Sequence, residues 1–274
     1  MNHSSKYPFT LYLNFNWNEE GYHSSGEYFQ RAAKRLGMPV RKYSGGKKDV
    51  VLNIETSGHP FVPGRIATGY YDLDVFLNRA FNMIEFQDKA DCLFTSHKPP
   101  YDVKGVATYI IPHATAPEWT SKRKKKEYDI TVGGRLDSVY GRRIELLEAM
   151  IKRGYKVYVV SRIKTKKYLD ELSKGRIIFN CSLTGDVSRR DFDGMALGVL
   201  VTDKSKYTDM LGEEGTHFFT YKDEKTLFSV IDALLQDSKK LDKVDRESTK
   251  HAHKNHTYDV RLELIYQKLK EVYE

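Results

Sequence analysis

Apolar segments of strand length alternate with amphipathic segments of helical period along almost the whole chain, and this order restricts the fold more than any other feature. In the first part the strand-like segments are TLYLNFNW (10–17), VVLNIET (50–56), ADCLFTS (90–96) and ATYIIPH (107–113). The helical segments between them are SGEYFQRAAKRLG (25–37) and DLDVFLNRAFNMIEF (72–86). Such alternation is typical of a parallel sheet covered by helices. We therefore predict an α/β fold.

The alternation stops once, at the basic stretch TSKRKKKE, and no apolar residue lies between Trp119 and Tyr128. A polar interval of this kind is typical of a linker. We predict a Rossmann-like domain over 1–120, a linker over 121–127 and a second Rossmann-like domain over 128–256. A terminal helix follows over 257–274, for which packing back on the first domain is one option. Two such domains would face each other across a cleft.

The composition restricts the class of protein. With 40% hydrophobic and 12% aromatic residues, a disordered chain is excluded. The two cysteines, Cys92 and Cys181, lie in apolar runs, which indicates neither a disulfide framework nor a metal site. No run approaches the roughly 20 apolar residues of a membrane span, and the N-terminus does not resemble a signal peptide. We expect a cytoplasmic protein, in the host cytoplasm if it is viral; the sequence indicates no oligomeric state.

In an open α/β sheet, ligands bind where strands end and helices begin. The loop VGGRLDSVYGRRIELL (132–147) leaves a predicted strand through Gly133 and Gly134, and the next helix opens near Gly141-Arg142-Arg143. Glycines allow close approach of a ligand, and arginines at a helix start suit a phosphate. The alternative is a tight turn with solvated arginines. The GxGxxG pattern is absent, so a dinucleotide site is not indicated.

The segment SRRDFDGMALGVLVTD (188–203) places Arg189 and Arg190 at the start of a helix. Cations there oppose the helix dipole, so an anion should compensate for them. Asp191 and Asp193 can do so as acids of the first turn. A bound diphosphate is the other candidate, and the Asp193 carboxylate could then accept from two ribose hydroxyls. Diphosphate and ribose together describe a nucleotide sugar.

The same segment, continued to Asp237, resembles the donor-binding region of GT-B glycosyltransferases, in the spore-maturation-protein-like (CgeB-like) branch of the group 1 transferases. That branch carries Arg-x-Phe-Glu-x-x-Ala-x-Gly, a strand ending in Thr-Asp and a terminal His-Thr-Tyr-x-x-Arg, which HTYDVRLELI (256–265) resembles. VGGRLDSVYGRRIELLEAMIKRGYKVYVV resembles its first strand, loop and helix. Arg190 matches the family arginine, whereas Asp193 stands where the family usually has Glu.

The resemblance implies a GT-B fold and the transfer of a hexosyl or pentosyl group from a nucleotide diphosphate sugar, most simply a UDP-sugar, without a required metal. By the same resemblance and by their positions after strands, further donor-binding candidates are expected in the second domain. With those above they are Gly133, Gly134, Arg135, Arg142, Arg162, Asn180, Ser188, Arg189, Arg190 and Asp193.

The first domain should bind the acceptor and supply a general base. His23 follows the first strand, and a neutral imidazole is suited to accept a hydroxyl proton; alternatively it only precedes a helix cap. Asp72 follows another possible strand end, and an aspartate there is also a common helix cap.

The net charge of +8 indicates an anionic partner, but KRKKK at 122–126 supplies five of these charges. This run could bind DNA through its phosphates, with residues Lys122, Arg123, Lys124, Lys125 and Lys126. The acceptor would then be a hydroxylated or hydroxymethylated base, as in compact bacteriophage transferases. The alternatives are a solvated linker with a polysaccharide or small-molecule acceptor, and a non-catalytic protein that binds nucleotides or nucleic acid.

Overall fold

The computed structural model of the chain describes residues 6–15, 25–54, 60–72, 88–98, 103–120, 124–134, 136, 141–161, 163 and 165–274. The chain divides into two compact units. The first comprises residues 1–112 with 258–274, and the second comprises residues 113–257. Helices are numbered below among the described residues.

A sheet of six described strands, all parallel, forms the centre of the first unit. The strands are β1 (Leu11–Asn14), β2 (Val40–Lys42), β3 (Val50–Ile54), β4 (Ala67–Asp72), β5 (Cys92–Thr95) and β6 (Ala107–Ile110). Their order is β2-β1-β3-β4-β5-β6. Strands β3 and β5 are buried throughout, in agreement with their mostly apolar sequences. The short polar strand β2 was not predicted.

The second unit contains a parallel sheet of five strands. They are β7 (Tyr128–Gly133), β8 (Val157–Val160), β9 (Gly175–Phe179), β10 (Val199–Asp203) and β11 (Phe218–Tyr221). Their order is β11-β10-β9-β7-β8. The chain leaves β7 for β8 on one side and then returns to β9 on the other side. The carboxyl end of β7 is therefore the point where connections diverge and where ligands bind in such sheets.

The described helices before the terminal one are α1 (Ser25–Leu36) in the first unit and then α2 (Pro117–Thr120), α3 (Gly141–Lys152), α4 (Thr165–Leu172), α5 (Arg189–Leu197), α6 (Glu224–Gln236) and α7 (Ser238–Asn255) in the second. Helices of the second unit cover both faces of its sheet. Side chains of α3 and α6 pack with Ile177 and Phe179. Because strand side chains alternate, Ile178 points to the other face, where it contacts Leu197 of α5.

The terminal helix α8 (Tyr258–Tyr273) belongs to the first unit. Its Tyr258 ring stacks on Tyr28 of α1 with centroids 4.7 Å apart. Arg35 of α1 also donates to Asp259 at 2.6 Å. Apolar packing and this ion pair therefore attach α8 to α1.

Three histidines of the second unit form a compact cluster. His217 stacks on His251 with centroids 3.9 Å apart, and Nε2 of His251 lies 3.1 Å from Nε2 of His256. One of these two nitrogens must accept the proton that the other donates, so the accepting ring is neutral. Burial lowers the pKa of His251, and the neighbouring His217 lowers it further.

We predict that acid destabilises this cluster. The pKa of His251 in the folded protein lies below its unfolded value of about 6.5. Below that pH the unfolded chain binds more protons, so this group removes up to about 1.4 kcal/mol of stability per pH unit. Urea unfolding measures the free energy of unfolding at pH 7.5 and at pH 5.5. Its decrease between these two pH values should be larger for the wild type than for His251→Gln. Equal losses would contradict the prediction.

Candidate functional site

The chain turns sharply at the carboxyl end of β7, and two arginines converge on this glycine turn, Gly133–Gly134. Gly134 has a φ of 120°, which a residue with a side chain rarely adopts. A Cβ atom at Gly134 would lie 3.0 Å from Nη1 of Arg143 and 3.6 Å from Cδ of Arg190. Arg143 comes from α3 and Arg190 from α5, so two helix starts direct positive charge to one turn.

Gly133 has a different role from Gly134. It is buried, and a Cβ atom there would overlap the hydroxyl oxygen of Tyr168, at 1.9 Å. Its missing side chain therefore makes room for Tyr168 of α4. The Tyr168 hydroxyl is itself buried and has no hydrogen-bond partner among the described residues. Of the two predicted glycines, only Gly134 is partly exposed at the turn.

The start of α5 is organised by a buried carboxylate. Asp191 accepts from Nδ2 of Asn180 and from Oγ1 of Thr202, each at 2.7 Å, and from the backbone N–H of Ser188 at 2.8 Å. Burial raises the pKa of Asp191, while the bonds from Thr202 and Asn180 act against the rise. The acid predicted for the first turn is thus present at Asp191. A negative charge at this position interacts favourably with the helix dipole. It can therefore offset the unfavourable effect of the two arginines without a bound ligand.

The two arginines of α5 have different partners. Nε of Arg190 donates to Oδ1 of Asn180 at 3.2 Å. Nε of Arg189 lies 3.5 Å from Oδ2 of Asp193, whose side chain is only 3% exposed. Asp193 also accepts from Thr115 at 2.9 Å. Burial raises the pKa of Asp193, and Arg189 opposes this rise. The predicted ribose contact would therefore have to replace a carboxylate interaction that already exists.

Arg142 lines a cavity that we call the Arg142 pocket. Its Nη1 donates to Asp203 at 2.5 Å, and its guanidinium carbon is 5.7 Å from the centre of the Tyr221 ring. The pocket has a volume of about 420 Å³. Its lining comprises Arg142, Arg143, Cys181, Ser182, Leu183, Gly185, Asp203, Lys204, Tyr221 and Lys222.

Several predicted residues lie outside the described residues, namely His23, Lys122, Arg123, Arg135 and Arg162. Asp72 ends β4, and its side chain is likewise outside the description. Gly134, Asn180, Ser188 and Arg190 meet around the glycine turn and the start of α5. Sequence reasoning noted Arg143 at the helix start but selected only Arg142 as a candidate, and it missed Tyr168. Arg143 carried a signal, because it stands beside the predicted Arg142, whereas Tyr168 lies in an ordinary amphipathic segment.

The basic run was predicted to contact DNA with all five of its side chains. Lys126 has other partners. The Lys126 ammonium donates to the carbonyl oxygens of Ser173, Gly175 and Leu197 at 2.8–3.0 Å. These bonds use its three hydrogens, so Lys126 joins the ends of α4 and α5. Lys124 lies 3.7 Å from Asp170, and Lys125 is exposed.

The described residues contain no group of three or more His, Cys, Asp and Glu side chains placed to hold a metal ion. No helix within them has the length and apolar character needed to cross a membrane.

Known structures share the architecture of this chain. A glycosyltransferase from Rickettsia africae is 9% identical with a TM-score of 0.61, and the match covers 97% of this chain and 99% of that one. T4 phage BGT in complex with its UDP-glucose substrate is 11% identical with a TM-score of 0.60 and the same coverages. Anabaena HepE in complex with UDP-glucose is 10% identical with a TM-score of 0.59, covering 96% and 100%. The predicted α/β, GT-B fold is confirmed.

The family is shown by the sequence itself. Residues 118–267, just over half of the chain, match the family described as glycosyl transferase-like. The chain therefore belongs to this family of glycosyltransferases. The narrower spore-maturation-protein-like branch stays a prediction.

We predict that Lys126 is a structural residue. Lys126→Met removes three bonds from a charged donor, so it should lower the free energy of unfolding by about 3 kcal/mol. The neighbouring exposed residue provides the control, since Lys125→Met should change it by less than about 0.5 kcal/mol. Urea denaturation measures both values. Similar small effects for both variants would show that the Lys126 bonds contribute little.

Proposed function

We propose that this glycosyltransferase uses a UDP-sugar donor and binds its diphosphate over the glycine turn. The observation that carries the proposal is the convergence of Arg143 and Arg190 on Gly134. Two of the similar structures contain UDP-glucose, which supports this donor class. Arg190 is half-buried and can donate directly to a phosphate oxygen, whereas Arg143 is 1% exposed and contributes its positive charge from a buried position.

In the proposed reaction the acceptor oxygen forms a bond to the anomeric carbon of the donor. The bond between that carbon and the diphosphate oxygen breaks, and the diphosphate leaves with its electron pair. Positive groups already in place stabilise this charge as it develops. Arg190 and Arg143 would serve here in the way that a divalent metal does in other transferases. The acceptor proton passes to a base, for which His23 and Asp72 remain the candidates.

Other donor assignments stay proposals. Asn180 would act by holding Arg190, and Ser188 by forming the start of α5. Arg189 and Asp193 form a pair beside this site, and Asp193 would reach a ribose only if that pair opened. Arg135 and Arg162 follow β7 and β8, and we propose them as further phosphate ligands.

We propose DNA with a hydroxylated or hydroxymethylated base as the acceptor. The net charge of +8 supports a polyanionic partner. Within the basic run, Lys125 and its neighbours Lys122, Arg123 and Lys124 are the candidates for phosphate contacts. We leave Lys126 out of this set, because its ammonium donates to three carbonyl oxygens.

A transfer assay tests this function. The protein is incubated with radiolabelled UDP-glucose and with duplex DNA containing hydroxymethylcytosine, with unmodified duplex, or without DNA. The proposal predicts label on the modified duplex and slow release of free sugar without DNA. Neither transfer nor hydrolysis across a panel of nucleotide sugars, together with tight DNA binding, would contradict the enzyme assignment.

We predict that Arg190→Ala weakens UDP binding about 30-fold, equivalent to about 2 kcal/mol, because a charge-assisted hydrogen bond to phosphate is lost. Isothermal calorimetry measures the affinity. Arg153→Ala is the control, because Arg153 is an exposed arginine bonded to Asp232. An unchanged affinity for Arg190→Ala in a folded protein would remove Arg190 from the site.

A further inference from the structure

The Tyr168 side chain of α4 places a hydroxyl group at the glycine turn. A Cβ atom at Gly133 would lie 1.9 Å from this hydroxyl oxygen, so the hydroxyl occupies the space that a side chain at Gly133 would fill. The next residue, Gly134, is the one on which Arg143 and Arg190 converge. Consecutive Cα atoms are about 3.8 Å apart. The hydroxyl therefore lies within one residue of the position proposed for the diphosphate.

This hydroxyl is a buried polar group whose hydrogen-bonding capacity is unused. Its oxygen is inaccessible to solvent and has no hydrogen-bond partner among the described residues. The ring packs against the apolar cluster between α4, α5 and the sheet, which holds the hydroxyl in place. Tyr155 of the same unit shows the usual arrangement, because its hydroxyl donates to Asp232. A buried polar group without a hydrogen bond is unfavourable and uncommon, so the Tyr168 hydroxyl calls for an explanation.

The charged groups near the hydroxyl are mostly cations. Three guanidinium groups interact with it electrostatically, those of Arg190, Arg189 and Arg143. A guanidinium has only N–H donors, so none of the three can accept a hydrogen bond from the hydroxyl. The Asp193 carboxylate interacts with the hydroxyl too, but it is paired with Arg189. An acceptor for the hydroxyl must therefore come from elsewhere.

The hydroxyl acts as a donor at neutral pH. Burial raises the pKa of Tyr168 above its usual value of about 10, and Arg190 opposes this rise without cancelling it. The phenol therefore keeps its proton and can donate one hydrogen bond. A donor that lies among guanidinium groups is suited to an anionic acceptor, because the surrounding positive charge stabilises the same anion.

We infer that Tyr168 is a further donor-binding residue, whose hydroxyl donates a hydrogen bond to a phosphate oxygen of the nucleotide diphosphate. The inference rests on the proposed donor site and adds to it a residue that recognises phosphate. A diphosphate over Gly134 supplies the acceptor that the described residues do not provide. Because Gly133 and Gly134 allow backbone rotations that other residues do not, the turn can adjust to admit a phosphate oxygen to the hydroxyl. The resulting hydrogen bond is charge-assisted and therefore strong.

Ligand binding to Tyr168→Phe tests the inference. Isothermal calorimetry measures the affinity for UDP, and competition against UDP measures the affinity for uridine, which has no phosphate. We expect the variant to bind UDP about tenfold more weakly than the wild type, because a charge-assisted hydrogen bond is lost. Its affinity for uridine should stay within about twofold of the wild-type value. An unchanged affinity for UDP, or an equal loss for UDP and uridine, would overturn the inference.

Urea unfolding without ligand separates this role from a structural one. Tyr168→Phe removes a hydroxyl that makes no hydrogen bond among the described residues, so the urea midpoint should stay the same or rise. Tyr155→Phe is the matched control: it loses the bond to Asp232, so its midpoint should fall while its affinity for UDP stays unchanged. If Tyr168→Phe lowers the midpoint as much as Tyr155→Phe does, or fails to fold, the hydroxyl is structural and the inference is wrong.

The wild type and Arg190→Ala distinguish a failure of this inference from a failure of the proposed function. If the wild type binds UDP, and Arg190→Ala weakens this binding while Tyr168→Phe does not, the donor site stands and only the role of Tyr168 is wrong. If the wild type does not bind UDP, the proposed donor site fails, and the inference fails with it.

Discussion

The buried carboxylate of Asp191 is the interaction on which the arrangement of the second unit depends. It receives hydrogen bonds from Asn180 after β9, from Thr202 on β10 and from Ser188 before α5. A buried carboxylate is costly unless it is fully bonded, so these three segments are held in one geometry. Asn180 is thereby fixed, and its amide oxygen orients Arg190. The position of Arg190, the candidate for phosphate binding, thus depends on Asp191, which acts on it through Asn180.

Arg143 is a second buried charged group at the turn. It is among the largest fully buried side chains of the described residues. A buried cation is stabilised by carbonyl groups and by nearby anions, and an incoming diphosphate would add two negative charges to its surroundings. A ligand at the turn would therefore gain from a field that the fold has already organised, which is the usual basis of electrostatic stabilisation in transferases.

Much of the fold could be predicted from the sequence, because alternating strands and helices are a local pattern that also specifies a parallel sheet. Gly134, Asn180 and Arg190 could be proposed because they follow strands, and strand ends meet at one edge. Arg142 and Arg143 could not be told apart, because consecutive helix residues point about 100° apart and only the packing of α3 shows which one reaches Gly134. Lys126 is bonded to carbonyl groups that lie some 47 to 71 residues further along the sequence. Its structural role therefore cannot be predicted from the run of basic residues in which it stands.

A crystal structure with bound UDP tests the central claim most directly. The account predicts that the diphosphate lies over Gly134, with a phosphate oxygen within hydrogen-bond distance of the Arg190 guanidinium, about 3 Å. It also predicts that Asp191 keeps its bonds to Asn180 and Thr202. A diphosphate bound in the Arg142 pocket, or bound without contact to Arg190, would contradict the account.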